Sequence, residues 1–272
     1  MPGLKRSTIR TLLNKKIENF LSSIKDNKDL VRELRKNIIV TGGAIPSMLI
    51  GEEVNDYDVY LKDKECIKKL IRHYVDIDMF PIHEIKEINI RKEVEDRIKI
   101  FIPSDGAHVF DTNKKDRYQL KCITDNALSF TDNFQIIIRF YGEPEDILRN
   151  FDFVHTHCYF DYAKQHLELP AKSLECILSR TLLYEGSLYP LCSVIRTRKF
   201  INRGWRITAG QYLKMLLQLN DVDLTNIEIL KQQIIGVDSL YMIELIEKLS
   251  AIEADKVDSA YVIELIDSIF EE

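Results

Sequence analysis

The chain has 272 residues, 45% hydrophobic and 30% charged, with a formal net charge of −5. That length supports one large domain or two modest ones around a sizeable core, and the mild acidity excludes a globally basic nucleic-acid binder, so any such contact needs a local patch. No apolar run reaches the ~18 residues of a membrane span, and the basic N-terminus lacks the apolar centre of a secretory signal.

From Ser7 to Lys36 apolar residues recur at helical spacing (Ile9, Leu12, Leu13, Ile17, Phe20, Leu21, Ile24). This predicts an amphipathic helix, a break near Asn27 and a second helix. "NIIVT" (Asn37–Thr41) reads as a short buried strand, punctuated by Gly42-Gly43. "AIPSMLIG" reads as a short helix ended by Gly51, with Pro46 tolerated in its first turn. "YDVYL" (Tyr57–Leu61) alternates and reads as a strand, and Asp63 to Tyr74 as a helix. "EIKEINI", "RIKIFI", "HVFDT", "YQLKCIT", "ALSFT" and "FQIIIRF" predict a strand-rich stretch over 85–140. "EPEDILRN" then reads as a helix beginning near Glu143, and "FDFVHTHCYFD" as a strand or strand-turn.

After about Ala171 the pattern turns helical. The expected organisation is an N-terminal helical segment (1–36), an α/β head with a mixed sheet (37–168) and an all-α body (169–272). Within that body "VDSLYMIELIEKL" (237–249) and "VDSAYVIELIDSI" (257–269) repeat at a 20-residue offset. Each opens on an Asp-Ser that suits an N-cap, and together they predict a terminal helical hairpin packed on the body. Cys66, Cys122, Cys158, Cys176 and Cys192 are scattered with no CxxC pair. That pattern argues against disulfides or a zinc knuckle and for a reducing, cytoplasmic setting.

The chemistry concentrates in "VTGGAIPSMLIGEEVNDYDVYL". Asp56 and Asp58 stand at i and i+2, which on a strand projects both from one face. Paired carboxylates repel unless a divalent cation lies between them, and Mg²⁺ is the usual hard ion for oxygen donors. The plainer reading is a solvated polar turn. Gly42-Gly43 at a strand-to-helix turn lets backbone N–H groups approach phosphates closely, or is only a turn. Arg196, Arg198, Lys199, Arg203 and Arg206 surround Phe200 and Trp205 with no acid among them. Residues 196, 199, 200 and 203 share a helical face, suited to triphosphate or an RNA 3′ end or else simply solvated. His155 and His157, also i and i+2, fit hydrogen bonds to nucleotide or backbone better than a zinc pair.

The spacing resembles motif A of the polymerase-β-like nucleotidyltransferase superfamily, in the branch of bacterial-type CCA-adding enzymes and poly(A) polymerases. That motif runs from a Gly-Gly turn through a short helix to an Asp-x-Asp strand, and here twelve residues separate Gly43 from Asp56. "NFDFVHTHCYFD" resembles the family's second motif in Asp152-Phe153 and Tyr159-Phe160-Asp161. Val154 and Thr156 replace its Thr and Asn, and Asn150-Phe151 its arginine pair. "IRTRKFINRGWRI" is similar to a third motif through Arg196, Phe200, Arg203, Gly204, Trp205 and Ile207. Pro46-Ser47 departs from the Arg-Asp that usually follows the glycines, and the acid-and-arginine motif that selects CTP and ATP has no clear match. Some stretches also resemble nucleotidyltransferase-like proteins of bacteriophages.

The resemblance implies Mg²⁺-dependent, template-independent transfer of a nucleoside monophosphate from an NTP to a hydroxyl acceptor, releasing pyrophosphate. An RNA 3′ end, tRNA first, is the implied acceptor. Asp56 and Asp58 would bind the metal, with Asp152 assisting and Asp111 and Asp161 as substitutes for it. Gly42, Gly43 and Ser47 would contact phosphate, and His155, Arg196, Lys199 and Arg203 nucleotide or primer. A protein or small molecule as acceptor is one alternative; an inactive nucleotidyltransferase-fold binding module, of a phage for example, is another.

Overall fold

A computed structural model of the chain describes residues 2–74, 86–88, 97–99, 107–110, 117–124, 126–234 and 257–270. Asp111 and the first copy of the repeat, 237–249, lie outside them. Helix α1 (Arg6–Ser23) and helix α2 (Lys28–Asn37) divide at Asn27. The Asn27 side chain accepts the Leu30 N–H at 3.1 Å, an N-cap that explains why asparagine marks the break. Next come β1 (Ile38–Thr41), α3 (Ala44–Ile50), β2 (Tyr57–Leu61) and α4 (Lys64–Tyr74). Gly51 ends α3 at φ +74°, a left-handed C-terminal stop that favours glycine.

The strand-rich middle supplies β3 (Lys86–Ile88), β4 (Arg97–Lys99), β5 (Ala107–Val109), β6 (Leu120–Thr124), β7 (Ala127–Phe130) and β8 (Phe134–Tyr141). Helix α5 (Pro144–Leu148) starts on a capping box formed by Glu143 and Asp146. It is followed by β9 (Tyr159–Asp161) and β10 (His166–Glu168). Eight strands join in the order β10-β9-β1-β2-β8-β7-β6-β5. Because β2 and β8 run parallel while their neighbours pair antiparallel, the sheet is mixed, as the sequence predicts.

The chain divides into two compact units, residues 1–150 with 155–177, and residues 151–154 with 178–272. In the first, α1 lies on one face of the sheet. Its Ile9, Leu13, Ile17 and Phe20 are fully buried, and Phe20 stacks on Phe134 at 4.6 Å and meets Phe130 edge-on at 5.5 Å. Burial of four such side chains outweighs any intrinsic helix preference. Burial alternates along the first part of β8, where Phe134, Ile136 and Ile138 are buried and Gln135 and Ile137 half-buried, while β2 runs from half-buried Tyr57 and Asp58 to buried Val59, Tyr60 and Leu61.

The second unit is built from the end of α6 (Ala171–Ser179), β11 (Thr181–Leu182), α7 (Pro190–Asn202), β12 (Arg206–Ile207), α8 (Ala209–Asn220), α9 (Ile227–Gln233) and α10 (Ser259–Phe270). β11 and β12 pair in parallel, a small addition to the helical pattern expected there. Leu191, Ile195, Leu230, Ile234, Val257, Val262 and Leu265 form one apolar cluster. Helix α10 is the second copy of the repeat, and its Val262 and Leu265 belong to that cluster.

One local reading changes. Residues 154–156 form a 3₁₀ turn rather than part of a strand. Their backbone groups are satisfied outside any ladder: Val154 N–H donates to Leu183 O at 3.1 Å, and Thr156 O accepts from Gly42 N–H at 3.3 Å. His155 and His157 therefore do not share a strand face.

Candidate functional site

The Gly-Gly turn and the Asp-x-Asp segment come together at the ends of β1 and β2. Their antiparallel register pairs Thr41 with Asp58, so Gly42 follows directly beside the Asp58 carboxylate. Gly42 has φ +85°, and a Cβ placed on it would lie 2.7 Å from Asp58 Oδ2. Only glycine leaves room for that carboxylate and adopts that backbone without strain. Gly43 is exposed, with nothing within 4 Å of its would-be Cβ. Helix α3, which follows the turn, has only seven residues.

The turn is tied down from behind. Thr41 is fully buried, and its hydroxyl contacts Cys158 O at 2.9 Å and Thr156 O at 3.2 Å. The Gly42 N–H is itself engaged by Thr156 O. Ser47 is buried on α3, its N–H donating to Gly43 O at 3.1 Å. His155 is buried to 1% exposure in the 3₁₀ turn.

Asp56 is exposed and stands one residue ahead of β2, while Asp58 is half-buried within it. Tyr57, between them, turns to the α1 face, where Lys16 Nζ lies 4.6 Å from its ring centre. Burial raises the Tyr57 phenol above its ordinary value and lowers the Lys16 ammonium. This cation–π contact anchors the strand on the face opposite Asp58. Among the described residues no three His, Cys, Asp or Glu side chains gather as a metal-binding group. Carboxylates such as those of Asp56 and Asp58 present hard oxygens of the kind that suit a divalent cation such as Mg²⁺.

Asp161 and Asp152, also named from the sequence, are each held by a basic side chain. Asp161, on β9, is 1% exposed and accepts from Lys62 Nζ at 2.8 Å and from the Lys164 N–H at 3.1 Å. Burial alone would raise its pKa, but these bonds and the charges of Lys62 and Lys164 outweigh burial and hold it below the ordinary value. Asp152 belongs to the second unit. Its Oδ2 accepts from Ser193 Oγ at 2.9 Å and from Arg196 Nη1 at 2.6 Å. The Asp152 side chain is 8% exposed and that of Arg196 36%. Lys199 follows on α7 and Arg203 is its C-cap, both half-buried, and Arg198 is exposed. Two neighbouring arginines hold backbone: Arg180 Nη1 donates to Arg203 O at 2.9 Å, and Arg206 Nη2 to Ser179 O at 3.2 Å. Each satisfies carbonyls at a helix end.

The residues expected at the site thus fall into two sets. Gly42, Gly43, Ser47, Asp56, Asp58 and His155 belong to the first unit; Asp152, Arg196, Lys199 and Arg203 belong to the second. Sequence reading missed Thr41 and the residues aligned with Asp58 on neighbouring strands, because strand pairing is not written in local periodicity.

The model of the Gabija anti-defense 2 family protein matches residues 11–180. The Gabija anti-defense 2 protein of Bacillus phage SPbetaL7 is 23% identical over 222 residues, covering 81% of this chain and 47% of that protein. Solved structures similar to the chain include the Thermotoga maritima CCA-adding enzyme complexed with tRNA, at 14% identity and a TM-score of 0.42 over 83% of this chain and 49% of that one. A CCA-adding enzyme complexed with ATP gives 12% identity and a TM-score of 0.45 over 88% and 51%. The chain spans about half the length of the curated relative and of these enzymes.

Proposed function

The chain belongs to the Gabija anti-defense 2 family, and on that premise we propose that it is a nucleotidyltransferase working against a Gabija defence. The observation that carries the chemistry is the packing of the Asp58 carboxylate against Gly42, which sets the Gly-Gly turn beside the Asp-x-Asp segment. Asp56 and Asp58 would hold Mg²⁺. The ion, when bound, supplies positive charge that neutralises a triphosphate and polarises its phosphorus. Gly43 offers backbone at the turn for phosphate oxygens, with Gly42 making room and Ser47 buried behind.

The reaction is transfer of a nucleoside monophosphate from an NTP to a hydroxyl. The hydroxyl oxygen bonds to the α-phosphorus as that phosphorus parts from the bridging oxygen, pyrophosphate leaves, and the hydroxyl proton passes to solvent. The acceptor proposed first is an RNA 3′ end, tRNA before others. Arg198 and Lys199 on α7 and Arg203 at its C-cap supply cationic surface for such a polyanion. Arg196 acts as a unit with Asp152, which assists by holding that guanidinium.

The test combines the purified chain, Mg²⁺ and each α-labelled NTP with tRNA, other RNA or host protein. Label on RNA that is lost in the Asp56→Ala, Asp58→Ala double variant supports this reading. Label on protein moves the acceptor to the defence itself, an outcome the family's name favours. A second reading, a fold retained only for binding, draws support from Pro46-Ser47 in place of Arg-Asp. No label on any pool, at any metal concentration, would favour it.

A further inference from the structure

Four strands meet in register at the level of Asp58. Thr41 on β1 pairs with Asp58 on β2, Asp58 with Gln135 on β8, and Gln135 with Ser129 on β7. Directly paired residues project from the same face of a sheet, so these side chains form one polar row. The adjacent rows, Tyr57 with Phe134 and Val59 with Ile136, turn to the face covered by α1. Asp58, Gln135 and Ser129 are half-buried and stand on the other face. Gln135 Nε2 donates to Ser129 Oγ at 3.2 Å, the one side-chain hydrogen bond of Gln135 among the described residues. That bond fixes the amide. It leaves Oε1 as an acceptor and the serine hydroxyl hydrogen as a donor.

The row has a direction. The Gly42 turn lies at its β1 end, with Asp58 next and the amide and hydroxyl beyond, about 5 and 10 Å farther across the ladder. In-line displacement at phosphorus puts the attacking oxygen opposite the leaving group. With pyrophosphate departing over the Gly42 turn, the attacking oxygen arrives from the β8–β7 side. We propose that Gln135 and Ser129 form the acceptor subsite, which binds and orients the neutral hydroxyl that attacks. The subsite rests on the nucleotidyl-transfer reading. Gln135 Oε1 accepts the hydroxyl's hydrogen bond without taking its proton, which goes to solvent, because a neutral amide is no base at ordinary pH. The oxygen–phosphorus bond forms as the phosphorus–pyrophosphate bond breaks, so nothing further is consumed.

Gln135→Met keeps side-chain volume and removes the amide, and Ser129→Ala releases the amide from its anchor. With the acceptor labelled in the NTP experiment, Gln135→Met is expected to raise the acceptor KM roughly five- to tenfold, the worth of one hydrogen bond. The NTP KM and the Mg²⁺ dependence should stay within about twofold on the same bookkeeping. Ser129→Ala should move the acceptor KM the same way by less, and it carries the comparison if Gln135→Met melts early. An unchanged acceptor KM, or a rise in the NTP KM in its place, overturns the subsite while leaving the transferase reading intact. A wild-type chain that labels no acceptor removes both.

Discussion

Replacing Gly42 with alanine separates the account from the view that the Gly-Gly pair is only a turn. An alanine there must hold φ near +85°, a left-handed backbone that costs about 1–2 kcal/mol for a residue with a Cβ. Its methyl would also stand 2.7 Å from Asp58 Oδ2, so the carboxylate must move by several tenths of an ångström or more. For a protein of this size 1–2 kcal/mol lowers Tm by about 2–8 °C. A catalytic carboxylate displaced on the order of an ångström loses roughly a hundredfold in rate. Gly43→Ala is the internal control: its φ is −75° and its Cβ meets nothing within 4 Å. It should leave stability unchanged or raise it by about 0.4–1 kcal/mol, as a stiffer unfolded chain confers. Thermal melts and Mg²⁺-dependent NTP turnover on the two variants suffice. If Gly42→Ala turns over like wild type with unshifted metal dependence, the Asp58 carboxylate is not the reacting group.

Thr41→Val removes a buried hydroxyl that ties the turn to Thr156 and Cys158. It should cost about 1 kcal/mol, and Thr41→Ser should recover most of it in urea titrations. Arg196→Met leaves the Asp152 carboxylate, 8% exposed, with Ser193. The cost should be about 1–3 kcal/mol, between the exposed and fully buried limits for broken pairs, and Asp152→Asn should cost less. If Asp152 assists only by holding Arg196, the two variants will lose turnover in parallel. The Asp161 pKa lies below its ordinary 3.8, so the unfolded state binds more protons between the two values. The stability it contributes is complete above about pH 4 and is lost as pH falls through the lower native value. Lys62→Met should therefore flatten the acid limb of a Tm-against-pH curve, and an unaltered limb would refute the assignment.

Much of the first unit was legible because its elements are locally consistent. The helical spacing of Ile9, Leu13, Ile17 and Phe20 matches what α1 buries. Asn27 caps where the pattern breaks, and "YDVYL" forms β2, although its burial runs from half-buried Tyr57 and Asp58 to buried Val59, Tyr60 and Leu61 instead of alternating. The histidine segment was misread because Phe153 to Cys158 is apolar enough for a strand, while its backbone partners, Gly42, Thr41 and Leu183, are distant in sequence. Gln135 and Ser129 were invisible for the same reason. Nothing near "FQIIIRF" says that its glutamine lines up with Asp58, because register between parallel strands is fixed by what lies between them and by the faces they bury. Of the basic cluster, the sequence showed the charge but not its division into Arg206, which bonds a helix-end carbonyl, and Arg196, which pairs with Asp152.

The central claim, that the Asp56/Asp58 pair does the counter-defence work, is tested most directly in cells. Bacillus carrying a Gabija defence would express the wild-type chain or the Asp56→Ala, Asp58→Ala variant at matched levels and be challenged with a phage which that defence blocks. Plaques restored by the wild type and absent with the variant are the predicted result. Equal restoration by both would show that the fold acts by binding alone and would contradict the account.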